Sequence, residues 1–356
     1  IKVISTIMIK KTHATLKQVA EAAGVHISTA SRALNDSTRH LIGKDIGKKV
    51  SSIALELGYR PNRMARALRT NKSHAIGVIV PDITNAIFPP IIRGIEDALE
   101  SFQYLPVTVN LSSISKGGMT DIQKINLLQN FGIDGFILAT GDANELYLQN
   151  ILKNGFPVVM VNRFSENKKI DCVINDDEDG IKKAFSHLVN LGHKNICMVS
   201  GPDKISTSRI RSDAFRKCFI ADTDLVGDPT IIATDSYIES EGFRVISELI
   251  LSNNFQATAI LCGNDRLAIG AIEALSANGL NCPEDVSVVG FNDMPLVERL
   301  DPALTTIAIN LYGLGLKAAD RLINRISLNG DSERTIDCLP VELKIRSSTS
   351  APKSTQ

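Results

Sequence analysis

The sequence predicts an all-α helix-turn-helix headpiece followed by an α/β body, which contains two lobes built as doubly wound parallel sheets. Residues 14–60 show short apolar helical periods separated by turns. After residue 74, apolar strand-like runs alternate with helical periods, a pattern typical of parallel sheets covered on both faces. A chain of 356 residues also exceeds the size at which one core usually keeps growing, so several folding units are expected.

The headpiece begins with two predicted helices joined by a tight turn. Thr15 is the predicted N-cap of the first helix, with Gln18 at the capping-box spacing. The apolar face of this helix consists of Leu16, Val19, Ala20 and Ala23. Gly24 ends it, and a second helix is predicted from about Ser28 to Leu34. This spacing favours a helix-turn-helix, although many helical hairpins in enzymes look similar.

Two further helices complete the headpiece. The apolar period predicts a third helix from about Asp45 to Leu57, and Gly58 is its expected stop. Pro61 suits the first turn of a short helix over about 61–69, which carries three arginines.

The body is predicted from its alternation of strand-like and helical segments. The apolar runs are 75–80, 105–110, 135–140, 156–161, 195–200, 258–263 and 286–291. The clearest helical periods between them are 88–102, 176–191, 238–252 and 264–277. Because these strands are too many for one small unit, two lobes are expected, with any ligand beyond the carboxyl ends of the strands.

Positive and negative residues are distributed unevenly along the chain, although its net charge is zero. Residues 1–74 hold 14 Lys and Arg against 4 Asp and Glu, whereas the remainder holds 25 against 35. A basic head on an acidic body indicates a unit that binds a polyanion. The alternative is a basic surface that is merely solvated, since charge alone carries no sequence information.

Composition also bears on location and chemistry. Six scattered cysteines form no C-x-x-C pair, so we expect a reducing cytoplasm, no disulfide framework and no zinc site. No apolar run approaches the roughly 20 residues that would span a bilayer. The apolar stretch 1–9 lacks the features of a secretory signal, and residues 1–13 are expected to form a disordered tail.

Several motifs are shared with a known family. They include TLKQVAEAAGVHISTASRALN (15–35) and LGYRPNRMARAL (57–68) in the headpiece. In the body they include IGVIVPDITNAIF (76–88), HLVNLGHKNICMVSGP (187–202), NDRLAIGAIEAL (264–275) and EDVSVVGFND (284–293). With these motifs, nearly all of residues 15–348 resembles the lactose/galactose repressor family of bacterial transcription regulators. The resemblance implies a homodimeric repressor of palindromic operator DNA, with a body similar to periplasmic sugar-binding proteins.

The resemblance also implies domain boundaries. They are a tail (1–13), a DNA-binding domain (14–60), a hinge helix and linker (61–74), an effector domain (75–348) and a tail (349–356). Within the effector domain, crossovers near 175, 309 and 334 give a first lobe of about 75–175 and 310–334, and a second of about 176–309 and 335–348. The loop 36–44 departs from the family by being longer, and its contacts are left open.

Family positions assign DNA contacts to the headpiece. The base readers fall on Ile27, Ser28 and Arg32; arginine can donate a bidentate pair to guanine. The positions that hold phosphates are Thr15, Thr29, Ser31 and Asn35. For Thr29 and Asn35 the alternative is helix capping. In the hinge, Asn62 and Arg63 contact DNA and Leu68 inserts into the minor groove; the alternative for Leu68 is packing onto the body.

Family positions also assign an effector pocket, which would hold a sugar or sugar derivative. The implied residues are Asn85, Phe88, Asn162, Arg211, Asn264 and Asn292. Arg211 would offer a planar donor fork and Phe88 would stack on a ring face. For each of them the alternative is an ordinary loop hydrogen bond or lobe packing.

Two amides stand where many relatives have acids, at Asn162 and Asn292. We hypothesise that they leave Arg211 less neutralised, so that the effector carries a negative charge, as a sugar acid would.

Two rival classes are a transport-type binding protein and an enzyme on the same scaffold. The attached basic headpiece argues against the first, and no nucleophile–base spacing supports the second. The residues 313–318 fit G-x-G-x-x-A, but no βαβ unit follows them. No cofactor, metal or catalytic activity is therefore expected.

Overall fold

The chain divides into two units, residues 1–73 and residues 74–356, and each is described by itself. The computed structural model describes residues 14–35, 38–59, 72–111, 118–140, 146–222, 225, 228–253, 255–328 and 333–353. The predicted tail 1–13 and the predicted hinge helix 61–69 lie outside these residues.

The small unit consists of helices packed around an apolar core. Its elements are α1 (Leu16–Ala23), α2 (Ile27–Ala33), a 3₁₀ turn (Arg39–Leu41) and α3 (Lys44–Glu56). The predicted capping box is present, because the Gln18 backbone N–H donates to the Thr15 hydroxyl and the Thr15 N–H donates to the Gln18 side chain. Gly24 ends α1 in the left-handed region, with a φ of 64°. Buried Val and Ala side chains from all three helices fill the core.

The large unit contains two six-stranded sheets. The strands are β1 (Ala75–Val80), β2 (Leu105–Asn110), β3 (Gly135–Leu138), β4 (Val158–Val161), β5 (Asp171–Asn175), β6 (Ile196–Ser200), β7 (Thr230–Ala233), β8 (Ala259–Cys262), β9 (Ser287–Asn292), β10 (Thr305–Ile309), β11 (Ile336–Leu339) and β12 (Val341–Lys344). The first sheet has the order β11-β5-β4-β3-β1-β2 and is parallel throughout. The second has the order β12-β10-β9-β8-β6-β7, and only β12 runs antiparallel.

Helices cover both sheets. They are α4 (Phe88–Ser101), α5 (Asp121–Asn130), α6 (Leu146–Lys153), α7 (Asp177–Asn190), α8 (Ser206–Ala221), α9 (Glu239–Leu251), α10 (Asp265–Ala277) and α11 (Leu311–Ser327), with a 3₁₀ turn at Val297–Arg299. The inner strands of both sheets are almost wholly buried, which explains why they form continuous apolar runs in the sequence, whereas the edge strands β2, β7, β11 and β12 are partly exposed.

The chain passes between the two lobes three times. It crosses after β5 near Asp176, after β10 near Asn310, and between β11 and β12 at Pro340. The sequence-based boundary at 334 is wrong for the third crossing, because β11 pairs with β5 in the first sheet. This strand is short and half exposed, so its apolar signal is weak.

In the first lobe, α4 and α11 approach so closely that only glycine fits between them. A Cβ at Gly315 of α11 would overlap the carbonyl oxygen of Ile91, and a Cβ at Gly94 of α4 would overlap that of Tyr312. Two glycines between α9 and α10 play the same part in the second lobe. The G-x-G-x-x-A pattern at 313–318 therefore lies inside a helix and serves helix packing, whereas a phosphate loop precedes its helix.

Gly315→Ala is expected to destabilise the large unit by about 1–3 kcal/mol, because the added methyl forces α4 and α11 apart. Urea unfolding followed by circular dichroism measures this loss. Gly43→Ala is the control, since a Cβ there meets no atom within 4 Å. Equal stability of the two variants would contradict the packing role.

The expected tail at 349–356 is wrong for residues 349–353, which dock on the second lobe. The Thr349 hydroxyl lies 3.0 Å from the His187 Nε2, and the Ser350 carbonyl oxygen lies 2.9 Å from the His193 Nε2. Lys353 forms an ion pair with Asp285. This segment is therefore part of the folded lobe, and residues 354–356 lie outside the described range.

Candidate functional site

The second helix of the small unit has one buried and one exposed face. Ala30 and Ala33 are buried against the core, whereas Ile27, Ser28 and Arg32 are exposed. Ile27 is 43% exposed, so an apolar side chain stands on the surface with no core to fill. All three predicted base readers thus share one outward face of α2.

The start of α2 carries a cap that the sequence reasoning missed. The His26 Nδ1 accepts a hydrogen bond from the Ser28 backbone N–H at 3.3 Å and lies 2.8 Å from the Ser28 hydroxyl oxygen. The His26 ring therefore orients the hydroxyl of a predicted base reader. Histidine is not among the favoured N-cap residues, so the sequence alone did not predict this cap.

The predicted phosphate contacts have different surroundings. Thr15 is exposed and caps α1, and Thr29 and Ser31 are half-buried within α2. Because His26 caps α2, the capping alternative for Thr29 does not apply. Asn35 follows the end of α2, and its carbonyl accepts from Thr38 and Arg39. The predicted hinge contacts Asn62, Arg63 and Leu68 lie outside the described residues.

A cavity of about 380 Å³ lies in the large unit at the carboxyl ends of strands from both sheets. This volume falls within the range of small-molecule sites, about 300–1,000 Å³. The predicted effector residues all line it: Asn85, Phe88, Asn162, Arg211, Asn264 and Asn292. The topology brings them together because each lies at the end of a strand, in the loop that follows it, or in the first two turns of the next helix.

Arg211 on α8 is buried and paired. Its Nε and Nη2 donate to Asp177 Oδ1 at 3.0 and 2.8 Å, and its Nη1 donates to the Gly263 carbonyl at 2.6 Å. The guanidinium carbon also lies 3.6 Å from the centroid of the Phe291 ring. The expectation that Arg211 is left poorly neutralised is therefore wrong, because Asp177 at the start of α7 supplies the negative charge. Three of its five N–H donors are used within the protein.

A second arginine, Arg163, lines the cavity and was missed from the sequence. It follows Asn162 after β4, is 9% exposed, and its Nη1 donates to the Asn162 carbonyl at 2.6 Å. No carboxylate of the described residues forms an ion pair with it. Burial lowers the pKa of the Arg163 guanidinium and the charge of Arg211 lowers it further, whereas Tyr237 and Asp177 raise it.

The two amides that replace acids in the family pattern both sit in unusual backbone conformations. Asn162 has a φ of 56° and Asn292 a φ of 118°. The Asn162 Oδ1 accepts from the Asn175 side chain at 2.9 Å, so its amide N–H groups remain for a ligand. The Asn292 side chain makes no hydrogen bond within the part of the chain that the structure describes. Backbone strain of this kind is typical of binding sites.

The other predicted effector residues also make hydrogen bonds or packing contacts within the protein. The Asn264 Oδ1 accepts from the Leu267 N–H and caps α10, and the Asn85 Oδ1 accepts from the Ile87 N–H. Phe88 is only 1% exposed and belongs to the core of its lobe. Tyr237, which sequence reasoning missed, is more exposed in the cavity wall, and its ring occupies the space that a Cβ at Gly201 would need.

The described residues contain neither a metal-binding cluster nor a membrane-spanning helix. No group of three or more His, Cys, Asp or Glu is placed there to hold a metal ion. None of the described helices has the length and apolar character needed to cross a bilayer.

Comparisons with known proteins match both units. Residues 15–62 match "Bacterial regulatory proteins, lacI family", and residues 73–346 match "Periplasmic binding proteins and sugar binding domain of LacI family". The HTH-type transcriptional repressor CytR of Escherichia coli (strain K12) is 32% identical over 352 residues, which cover 96% of this chain and 98% of CytR.

Two solved structures are similar over long stretches. The lac repressor dimer bound to operator and the anti-inducer ONPF has a TM-score of 0.82 at 27% identity, covering 95% of this chain and 99% of the repressor chain. A regulator from Enterococcus faecium with bound ribose has a TM-score of 0.68 at 30% identity, covering 78% of this chain and 100% of its own.

Proposed function

The chain belongs to the LacI family of bacterial regulatory proteins, and on that premise we propose that it is a transcription repressor controlled by a sugar or sugar derivative. The observation that carries the proposal is the outward face of α2, which exposes Ile27, Ser28 and Arg32 while Ala30 and Ala33 are buried. The protein acts by binding and catalyses no reaction.

On DNA, α2 enters the major groove and reads base edges. Arg32 donates a bidentate pair to a guanine, Ser28 makes one hydrogen bond, and Ile27 contacts a thymine methyl group. Phosphates bind to Thr15, Thr29, Ser31 and Asn35, which fix the register of the helix. In the hinge, Asn62, Arg63 and Leu68 hold the operator centre, with Leu68 as the minor-groove wedge.

The active form is a homodimer, because one headpiece reads only half of a dyad-symmetric operator. The similar lac repressor is a dimer on its operator, which supports this assignment.

The effector binds in the cavity and closes the lobes around itself. Ribose bound to the E. faecium relative supports a sugar-type ligand. Forked donors and amides such as Asn85, Arg211, Asn264 and Asn292 suit polyhydroxyl groups. Effector binding changes operator affinity, and by linkage the operator changes effector affinity by the same factor.

Arg32→Ala is expected to weaken operator binding by about 1–3 kcal/mol and to relax the sequence preference at one base position. Titration of labelled operator and of each single-base variant measures both effects. Arg39→Ala removes an exposed arginine outside α2 and is expected to leave the preference among bases unchanged. A uniform weakening of all sequences by Arg32→Ala would show that Arg32 contacts phosphate only.

The function itself is tested by selecting bound fragments from genomic DNA and measuring their affinity with and without sugars. A repressor of this family enriches dyad-symmetric fragments, and a sugar shifts their affinity. A transport-type binding protein would bind sugar but enrich no fragment. Absence of any preference over bulk DNA contradicts the proposal.

A further inference from the structure

The Arg163 guanidinium is a buried cation in the wall of the effector cavity. Its one hydrogen bond with the described residues is donated by Nη1 to the backbone carbonyl of the neighbouring Asn162. The Nε and Nη2 groups have no protein acceptor among those residues, and Arg163 is only 9% exposed to solvent. A buried guanidinium without a paired carboxylate is costly, because desolvation is not offset by an opposite charge.

The nearby buried acid is already engaged. Asp177 accepts two hydrogen bonds from Arg211 through the same oxygen, Oδ1. A second buried carboxylate, that of Asp265, interacts with Arg211, but its hydrogen bonds come from the Thr306 hydroxyl and the Met294 N–H. Neither of these two buried acids accepts a hydrogen bond from Arg163 within the described residues, so the Arg163 guanidinium lacks a directly paired carboxylate.

Charges at the cavity rim do not supply this partner either. Arg266 is neutralised by Glu239 through two hydrogen bonds of 2.7 Å. Asp235 is exposed, as is Lys204, and the Asp82 Oδ1 accepts from Thr84. None of these rim acids forms an ion pair with Arg163 in the described part of the chain, and water screens the exposed ones.

We propose that Arg163 binds an anionic group of the effector, a carboxylate or a phosphate. This inference rests on the proposed function of the cavity as an effector site. The two open N–H groups of Arg163 match the two oxygens of such a group. Asn162 and Asn292 line the same cavity and add hydrogen-bond donors without adding a negative charge that would repel the ligand.

The test is calorimetric titration of the full chain with matched pairs of ligands. Galactose with galacturonate and glucose with glucuronate form the carboxylate arm; ribose with ribose 5-phosphate and glucose with glucose 6-phosphate form the phosphate arm. One acidic member is expected to bind about ten- to a hundredfold more tightly than its neutral partner. The arm in which this occurs identifies the anionic group.

Two variants locate the effect. Arg163→Gln is expected to remove the preference for the acid, because it weakens binding of the acidic member at least about tenfold more than binding of its neutral partner. Asn162→Asp places a carboxylate beside Arg163 and is expected to reverse the preference. Arg209→Gln, an exposed arginine of α8, is the control and should change neither affinity. Tighter binding of the neutral member in every pair, or equal losses for both members in Arg163→Gln, overturns the proposal.

If none of these sugars binds, sulfate serves as the probe. The melting temperature of the wild type is expected to rise more than that of Arg163→Gln as sodium sulfate replaces sodium chloride at constant ionic strength. Equal rises overturn the proposal. The repressor function fails separately, by a lack of preference for any DNA fragment, so the two failures are distinguishable.

Discussion

Arg211→Ala is expected to destabilise the large unit by about 3–5 kcal/mol, because it leaves the Asp177 carboxylate buried without its main partner. The side chains of both residues are almost inaccessible to water, at 3% and 4% exposure. The Gly263 carbonyl loses its hydrogen bond from Nη1 in the same change. Urea unfolding monitored by circular dichroism measures the loss, and it is expected before any effector is added.

Two variants separate charge from packing at this pair. Arg211→Met with Asp177→Asn removes both charges and is expected to recover part of the stability. Arg209→Ala on the exposed side of α8 should change stability little. A stable Arg211→Ala protein that only lost its response to effector would contradict the expected structural role of the Arg211–Asp177 pair.

Arg325→Met is expected to cost a similar amount, about 3–5 kcal/mol, for the same physical reason in the first lobe. Arg325 donates to both oxygens of Asp171, at 2.6 and 3.0 Å, and both side chains are buried. Asp171 also accepts from the Thr335 N–H at 2.7 Å, which holds the chain leading into β11. Thermal and urea unfolding of the variant measure the effect.

The control for Arg325→Met is the exposed pair Arg93–Asp97 on α4. Arg93→Met removes an ion pair of the i,i+4 type and is expected to cost no more than about 1 kcal/mol. Equal losses of unfolding free energy in Arg325→Met and Arg93→Met would mean that burial does not make the Arg325–Asp171 pair more important for stability than an exposed pair.

Local features of this fold could be predicted from the sequence. The capping box of Thr15 and Gln18 and the stop at Gly24 depend on residues that are neighbours in the chain. The central strands were also predictable, since β1, β3 and β8 are buried along their length and therefore apolar. The resemblance to the family likewise predicted six effector residues, and all six line the cavity. Their contact with an effector stays a prediction.

Features that depend on distant residues could not be predicted. Asp177 neutralises Arg211 across 34 residues of sequence, and no local pattern indicates that pair. Strand β5 begins with the acid Asp171, which interrupts its apolar run. Helix α8 buries serines, a threonine and Arg211 because one of its faces meets the cavity, so its apolar period is lost. Arg163 was missed because its burial is set by the two lobes together.

Residues 336–344 have a consequence for biosynthesis and mutation. They contain β11 and β12, which are neighbours in the chain but edge strands of different sheets. During translation the first sheet lacks its edge strand until Leu339 has left the ribosome, and the second lacks its edge strand until Lys344 has, so both sheets are completed late and within a few residues of each other. A nonsense mutation upstream of residue 336 therefore damages both lobes at once and leaves no intact half.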